Sequence, residues 1–146
     1  MADLNQYQEA TVNAATAMEL VLMVYDECIR SLEKAEEAFK IEGPERIEQF
    51  GGHVLHAQDS ISELSVSLDM EQGGEIAENL GRLYDFMVRH LSHANVKQIL
   101  KPVQEVKELM VGLREAWAEV AVQAPMIQAE NPAAGERPSG RINLAG

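Results

Sequence analysis

The sequence has little positive charge, one cysteine and no long apolar run, and each shortage excludes a class of protein. Its 146 residues carry 12 basic and 24 acidic side chains, a formal net charge of −12, without the basic clusters that nucleic acid or an anionic membrane attracts. No apolar stretch approaches the ~20 residues that span a bilayer, and no signal-peptide layout begins the chain. Cys28 is alone, so no intrachain disulfide forms. We expect a cytoplasmic protein that neither binds nucleic acid nor inserts into a membrane.

Four segments carry apolar residues at helical spacing, and short breaks separate them. The segment Thr16–Glu19 fits a capping box, which starts a helix. Gly43-Pro44 ends that helix, and Gly73-Gly74 predicts the chain reversal between the second and third helices because glycine takes backbone conformations closed to other residues. Apolar spacing near 3.5 residues and short joins predict an all-α, antiparallel four-helix bundle over residues 16–122.

The core stripes of these helices follow from the same spacing. On the first helix the predicted stripe is Leu20, Val24, Cys28, Leu32, Ala35 and Phe39. On the third helix it is Ile76, Leu80, Leu83, Met87, Leu91 and Ala94. We expect the core of the whole bundle to include Phe50, Ile61, Leu80, Met87, Met110 and Trp117.

The two ends of the chain lack such stripes. Residues 1–15 are mostly polar, and residues 123–146 combine three prolines with three glycines. We expect a mobile N-terminal leader and a disordered C-terminal tail. Tyr7 is the only aromatic side chain of the leader. It either anchors the leader over an apolar groove, so that residues 1–15 cap that groove, or remains an idle, exposed tyrosine.

The sequence contains no motif that indicates catalysis or metal binding. A carboxylate-bridged metal centre in a four-helix bundle needs Glu-x-x-His on two helices, whereas the histidines here form His53-x-x-His56 and His90-x-x-His93. Cys28 lies on a core stripe, where a lone thiol usually behaves as a small hydrophobic side chain. No glycine loop of the phosphate-binding kind is present. We expect no catalytic residue, no functional metal site and no cofactor, with histidines that are solvated or lie at the helix edges.

Apolar residues beyond the core stripes are the feature that favours a binding function. Each helix carries a second apolar row, more than a four-helix core needs, although such wide apolar faces also arise from burial against three neighbours. A row with small residues permits the close approach of a partner helix or extended segment. The best predicted surface lies between the second and third helices and is lined by Leu55, Ser62, Val66, Ala77, Gly81, Tyr84 and Val88. The first helix adds Leu22, Tyr25 and Ile29.

Two separated motifs carry a resemblance to a known family. The run SLDMEQGGEIAENLGRLYDFM at residues 67–87 and the run ELVLMVYD at residues 19–26 resemble the signatures of the flagellin-specific export chaperones, the FliS family. The resemblance implies a cytoplasmic, all-helical protein without enzymatic activity. It also implies that the chain binds the disordered C-terminal segment of flagellin, prevents premature polymerisation and delivers flagellin to the export gate of the flagellar type III apparatus.

Two hypotheses of different classes therefore remain. In the first, the second apolar rows bind the flagellin segment, and the leader with Tyr7 occupies part of the groove until the client arrives, as the family resemblance implies. In the second, the chain is a structural helical bundle that uses these rows for self-assembly or as an adaptor. The free protein is expected to be a monomer or a weak homodimer.

Overall fold

The computed structural model describes the backbone of residues 2–130 and the side chains of residues 16–121. Within that part it contains four helices: α1 (Ala2–Phe39), α2 (Glu45–Val66), α3 (Met70–Lys97) and α4 (Lys101–Glu130). Helices that follow each other in sequence contact each other, and α4 also packs against α1. Because the connections are short, neighbouring helices run antiparallel. The predicted all-α, antiparallel four-helix bundle is confirmed. No helix in the described range is long and apolar enough to cross a membrane.

The reversal between α2 and α3 begins at residue 67 and ends at the predicted Gly-Gly corner. The chain turns at residues 67–69, and the Asp69 side chain accepts a hydrogen bond of 3.1 Å from the backbone N–H of Gln72. This cap satisfies a first-turn amide and starts α3 at Met70. Gly74 then breaks α3 with φ of 54° and ψ of −129°, a non-helical conformation that lets Met70 fold back against Gly81. The predicted break at Gly73-Gly74 is therefore present, and the prediction missed only the capped turn that precedes it.

The ends of the bundle also differ from the predicted boundaries. The first helix begins at Ala2, so the capping-box sequence at Thr16 lies inside α1, and the division between leader and bundle at residue 16 stays a prediction. Residues 2–15 contain no glycine or proline and several good helix formers, so nothing in them interrupts α1. Helix α4 continues to Glu130, beyond the predicted end of the bundle at residue 122. The side chain of Tyr7 and the remainder of the predicted tail, residues 131–146, lie outside the described residues.

The core runs the length of the bundle and confirms most of the predicted core residues. Phe50, Ile61, Met87 and Met110 are fully buried, and Trp117 is 6% exposed. Leu80 is only half-buried and packs against the core from its edge.

The predicted core stripes are shifted by one residue along parts of α1 and α3. On α3 this shift explains why Leu80 is only half-buried. Leu20 and Ile76, both on predicted core stripes, are 56% and 50% exposed. Their neighbours Val21 and Ala77 are buried instead. Because one residue turns a helix by ~100°, a stripe shifted by one position faces a different neighbour. The true stripes bring aromatic hydroxyl groups, which have hydrogen-bonding partners, into the interior.

The end of the bundle that carries the α1–α2 connection is closed by aromatic packing. The rings of Phe39 and Phe50 meet edge to face with centroids 5.1 Å apart. The guanidinium of Arg46 lies over the Phe39 ring, 4.8 Å from its centroid. The contact between the two rings is apolar, and the guanidinium is attracted by the quadrupole of the Phe39 ring. We refer to this region as the α1–α2 end.

Two ion pairs tie α1 to α4 along the flank of the bundle. Arg114 donates to both carboxylate oxygens of Asp26, at 2.9 and 3.3 Å. Lys107 donates to Glu36 at 2.6 Å. These side chains are 21–44% exposed, so solvent screening keeps each contribution to stability small. Their main effect is to fix which faces of α1 and α4 meet.

Candidate partner-binding groove

An open groove lies between α2 and α3 at the end where these two helices connect. It encloses about 400 Å³. Helix α2 contributes one turn and a half of side chains and α3 contributes the facing stretch. The lining residues are Ile61, Ser62, Ser65, Val66, Tyr84, Asp85, Val88 and Arg89. A groove between two helices of this kind accepts a helical or extended segment from a partner.

The groove has an apolar floor and a polar rim. Ile61 and the Tyr84 ring form the floor and are 0% and 1% exposed. Val66 is 86% exposed and Val88 is half-buried, so these two side chains offer apolar surface that a partner would remove from water. Ser62, Ser65, Asp85 and Arg89 supply hydroxyl, carboxylate and guanidinium groups around them. A partner that alternates apolar and polar side chains matches this arrangement.

A buried hydrogen-bonded group of aromatic side chains supports the floor of the groove. The hydroxyl groups of Tyr25 and Tyr84 are hydrogen-bonded to each other, and Trp117 Nε1 donates to the Tyr25 hydroxyl at 3.0 Å. We call Tyr25, Tyr84 and Trp117 the aromatic cluster. It joins α1, α3 and α4 through polar atoms that water does not reach. Burial raises the pKa of both tyrosine hydroxyls, so both remain protonated near neutral pH.

Helix α2 is fixed to α3 beside the groove by one glutamine. The Gln58 amide nitrogen donates to the backbone carbonyl of Val88 and to the Ser92 hydroxyl, each at 2.8 Å. The carbonyl of a helix already accepts one intrahelical hydrogen bond, and its second lone pair accepts this one. Val88 is therefore held in place through its backbone while its side chain faces the groove.

The structure brings four of the predicted groove residues together: Ser62, Val66, Tyr84 and Val88. Tyr84 lines the groove from below, as floor rather than as exposed surface. Leu55 is 55% exposed on α2 but does not line the groove. Leu22 and Ile29 are half-buried against the core on α1.

The prediction that Tyr25, Ala77 and Gly81 offer free surface is wrong. Tyr25 and Ala77 are fully buried, and Tyr25 belongs to the aromatic cluster. Gly81 is buried because the chain's own Met70 covers it: a Cβ on Gly81 would lie 3.3 Å from Met70 Cε. The small residues thus accommodate the first turn of α3 rather than the backbone of a partner.

The sequence interpretation missed Ser65, Asp85 and Arg89 on the rim of the groove. Their positions carry a usable signal, since residues three or four apart share a helix face. Ser65 follows Ser62 by three positions, and Arg89 follows Asp85 by four. Attention to apolar rows alone leaves such polar neighbours out.

The histidines do not form a metal centre within the described part of the chain. No group of three or more His, Cys, Asp or Glu side chains there has metal-binding geometry. His90 Nε2 lies 2.9 Å from a carboxylate oxygen of Glu105. Burial is the main cause that lowers the pKa of His53, with Lys34 and His56 adding to it. That the protein needs no metal stays a prediction.

Comparison with known proteins decides the family. Residues 1–124 match the family described as "Flagellar protein FliS". The chain belongs to the FliS family. Proteins of this family are flagellar secretion chaperones, and the resemblance found in the two sequence motifs is confirmed.

Three relatives give the extent of the similarity. The flagellar secretion chaperone FliS of Bacillus subtilis is 33% identical over 118 residues, which cover 81% of this chain and 84% of the relative. The Salmonella typhimurium protein of the same name is 32% identical over 124 residues, covering 80% and 84%. The Escherichia coli protein of the same name is 34% identical over 122 residues, covering 82% and 87%. The shared length includes both helices of the groove.

Proposed function

We propose that the protein binds the C-terminal segment of flagellin in the groove between α2 and α3. In this function it keeps flagellin from polymerising in the cytoplasm and delivers it to the export gate of the flagellar type III apparatus. It acts as a binding protein, without catalysis and without a cofactor. The observation that supports the proposal best is the groove itself: Val66 and Val88 stand over a buried floor in a chain of the FliS family.

The physical properties of the groove suit a disordered client. A segment that orders on binding loses conformational entropy and offsets that loss by burying apolar surface along a long path. The exposed valines supply such surface, and the polar rim offers hydrogen bonds that fix the register of the bound segment. The net charge of −12 keeps the protein soluble while this surface is uncovered.

The other predicted residues take different parts in the proposal. Leu22, Ile29 and Leu55 retain exposed or half-exposed apolar surface and extend the contact beyond the groove. Tyr25 supports the floor through its hydrogen bond to Tyr84, whereas Ala77 and Gly81 are buried by the chain itself and do not contact the client. The leader with Tyr7 caps the groove in the free protein and moves aside when flagellin binds.

The proposal is tested by placing charge in the groove. Val66→Asp with Val88→Asp puts two carboxylates where bound flagellin has to exclude water. We expect the affinity for a flagellin C-terminal peptide to fall by about tenfold or more, which corresponds to ~1.4 kcal/mol. Isothermal titration calorimetry measures the affinity, and circular dichroism checks that helicity is kept. The single variant Val66→Asp, at the more exposed position, should already weaken binding.

Val96→Asp is the matched control for this experiment. Val96 is 79% exposed and, like Val66, lies in the last turn of its helix, but it does not line the groove. Its substitution should leave flagellin affinity unchanged. Equal losses from Val66→Asp and Val96→Asp would show a general charge effect and remove the groove from the proposal.

The wild-type protein distinguishes the two functional hypotheses. If it does not bind the flagellin peptide at all, self-assembly becomes the better explanation of the exposed apolar side chains. Light scattering over a range of protein concentrations then measures the oligomeric state. We expect a monomer, or a weak homodimer whose average mass rises only toward the highest protein concentrations.

A further inference from the structure

A second groove lies on another side of α3, between α3 and α4. It also encloses about 400 Å³ and is lined by Phe86, His90, Glu105, Glu108 and Leu109. None of these residues lines the groove between α2 and α3. The proposed binding of flagellin in that first groove therefore leaves the second groove unused.

Two apolar side chains of the second groove are exposed to solvent. Phe86 is 44% exposed and is the only exposed aromatic residue among the side chains that the structure describes; Leu109 opposite it is 38% exposed. The Phe86 ring stacks on the His90 ring with centroids 4.9 Å apart and planes inclined by 22°, a contact that favours this rotamer. Rigid aromatic side chains in a groove supply contact area at low entropic cost and commonly dominate binding energy.

The charged part of the groove is negative. Glu105 and Glu108 lie on α4 beside Leu109, and the one described side chain that bonds either carboxylate is His90, 2.9 Å from Glu105. Lys107 lies between them in sequence but does not neutralise them, because it donates to Glu36 on α1. An occupant of this groove therefore gains most from a positive charge.

The two grooves open in different directions. Tyr84 and Val88 face the groove between α2 and α3, whereas Phe86 and His90 face the groove between α3 and α4. Two positions along a helix correspond to ~200° around its axis. A segment bound in one groove therefore does not block the other.

We infer that the groove between α3 and α4 docks an amphipathic, basic helix of a second protein partner. Phe86 and His90 are four residues apart on α3, and so are Glu105 and Leu109 on α4, which matches the spacing of side chains on a helix laid along the groove. An apolar side chain of the partner fits between Phe86 and Leu109. An arginine or lysine beside it contacts Glu105 and Glu108. The inference does not depend on the identity of the client in the first groove.

The experiment uses a fluorescent amphipathic helical peptide of leucine and arginine as the probe. Its counterpart has every arginine replaced by glutamate. We expect the full-length protein to bind the arginine peptide and not the glutamate peptide. In nuclear magnetic resonance spectra, the arginine peptide should shift the resonances of Phe86, His90 and Leu109 and leave those of Val66 and Val88 unchanged. Shifts confined to Val66 and Val88 would overturn the inference, and so would the absence of binding.

Charge variants separate a specific site from general attraction to an acidic protein. Glu105→Gln with Glu108→Gln should weaken binding of the arginine peptide by about five- to tenfold, since each exposed pair contributes little alone. Glu115→Gln with Glu119→Gln removes the same charge from exposed positions of the same helix outside the groove. This control should leave the affinity unchanged, and an equal loss in both variants would overturn the inference.

Apolar variants test the aromatic contact in the same way. Phe86→Ser should weaken binding of the arginine peptide by about tenfold, as expected for a central aromatic contact. Ile76→Ser changes a similarly exposed residue of α3 that does not line the groove, and it should have no effect. Neither variant should change the affinity for the flagellin peptide. Loss of flagellin binding with Phe86→Ser would assign this groove to the client and overturn the inference of a second partner.

Two other occupants are distinguished by measurements on the full chain. If a second copy of the protein fills the groove, Phe86→Ser lowers the mass seen by light scattering at high concentration. If the chain's own C-terminus fills it, Arg137→Gln with Arg141→Gln raises the affinity for the arginine peptide. Either result would overturn the inference, and we expect neither.

Discussion

The two ends of the bundle hold their helices together by different means. At the α1–α2 end, Phe39 and Phe50 pack edge to face under the guanidinium of Arg46. At the opposite end, the aromatic cluster joins three helices by hydrogen bonds between buried polar atoms. Apolar packing responds to lost volume, whereas a polar cluster also responds to the loss of a single hydrogen-bonding atom. The end with the polar cluster is also the end that carries the proposed flagellin groove.

The largest expected effect comes from removing an aromatic ring at either end. Trp117→Ala and Phe50→Ala should each lower the free energy of unfolding by about 3–5 kcal/mol, because both side chains are buried. Urea titration followed by circular dichroism measures the change. A change within about 0.5 kcal/mol for Trp117→Ala is typical of a surface position and would contradict its place in the cluster.

A substitution that removes one oxygen and keeps the ring has a smaller effect and distinguishes the two ends. Tyr25→Phe removes the hydroxyl to which the Trp117 N–H donates and which is hydrogen-bonded to the Tyr84 hydroxyl. We expect a loss of about 2 kcal/mol in unfolding free energy. Phe50→Leu at the α1–α2 end, which removes no polar atom, should cost less than about 1.5 kcal/mol. If Tyr25→Phe is neutral in urea titration, the hydrogen bonds do not stabilise this end.

Alkaline pH should act through the same cluster. Burial raises the pKa of both tyrosines, and it raises the pKa of the nearby Cys28 thiol to about 12. The unfolded chain releases these protons at ordinary pKa values of ~8.5 for cysteine and ~10 for tyrosine. The stabilising effect of the bound protons is therefore complete below ~pH 8.5. It is lost as pH rises toward the folded-state pKa values, by ~1.4 kcal/mol per pH unit for each group.

This pH effect is measured as the urea midpoint of unfolding between pH 8 and about pH 11. The midpoint should fall with rising pH in the wild-type protein. Tyr84→Phe should make that fall less steep above about pH 10, since one titrating group is gone. Phe50→Leu is the control and should keep the wild-type steepness. Identical profiles for the wild-type protein and Tyr84→Phe would contradict the burial of this hydroxyl.

The smallest expected effects come from two buried glycines, one near each end. A Cβ on Gly81 would meet the flexible tip of the half-exposed Met70 side chain at 3.3 Å. Gly81→Ala should therefore stabilise the protein by about 0.5 kcal/mol, because part of the helix propensity gain of ~1 kcal/mol survives. A Cβ on Gly51 would lie 3.1 Å from Asn95 Oδ1, on a shorter side chain. Gly51→Ala should be neutral or destabilising in the same urea titrations.

The order of the two glycine variants is the sharper result. If Gly51→Ala stabilises more than Gly81→Ala, the close approach of α2 to Asn95 is looser than the structure shows. The α1–α2 end would then tolerate added side-chain volume better than the end that carries the cluster, and not only the loss of polar atoms.

The comparison of the ends also explains what the sequence could and could not predict. The number of helices, their antiparallel order and the core at Phe50, Ile61, Met87 and Met110 follow from apolar spacing, because spacing reports burial directly. Toward the other end, spacing favoured Leu20 and Ile76 over their buried neighbours. Aliphatic side chains weigh more in a hydrophobic pattern than tyrosine, alanine or glycine do. A hydrophobic pattern also contains no information about hydrogen bonds between aromatic residues that are distant in sequence.

Part of the candidate site was predicted from the same apolar spacing. The facing stretches of α2 and α3 were found because apolar residues exceeded the needs of the core, and Ser62, Val66, Tyr84 and Val88 line the groove. The rest depended on tertiary structure. Local sequence does not show that Met70 covers Gly81, because the two residues are eleven positions apart and meet only where Gly74 breaks α3.

The buried thiol of Cys28 makes transient separation of α1 and α2 measurable. Its sulfur lies 3.6 Å from the backbone carbonyl oxygen of Ala57, so it sits at the contact between α1 and α2. Thiols react as accessible thiolates, and burial denies Cys28 both conditions in the closed protein. A disulfide reagent must wait until the two helices part. The rate at which the thiol is labelled therefore reports how often and for how long this helix pair is open, with no probe added to the chain.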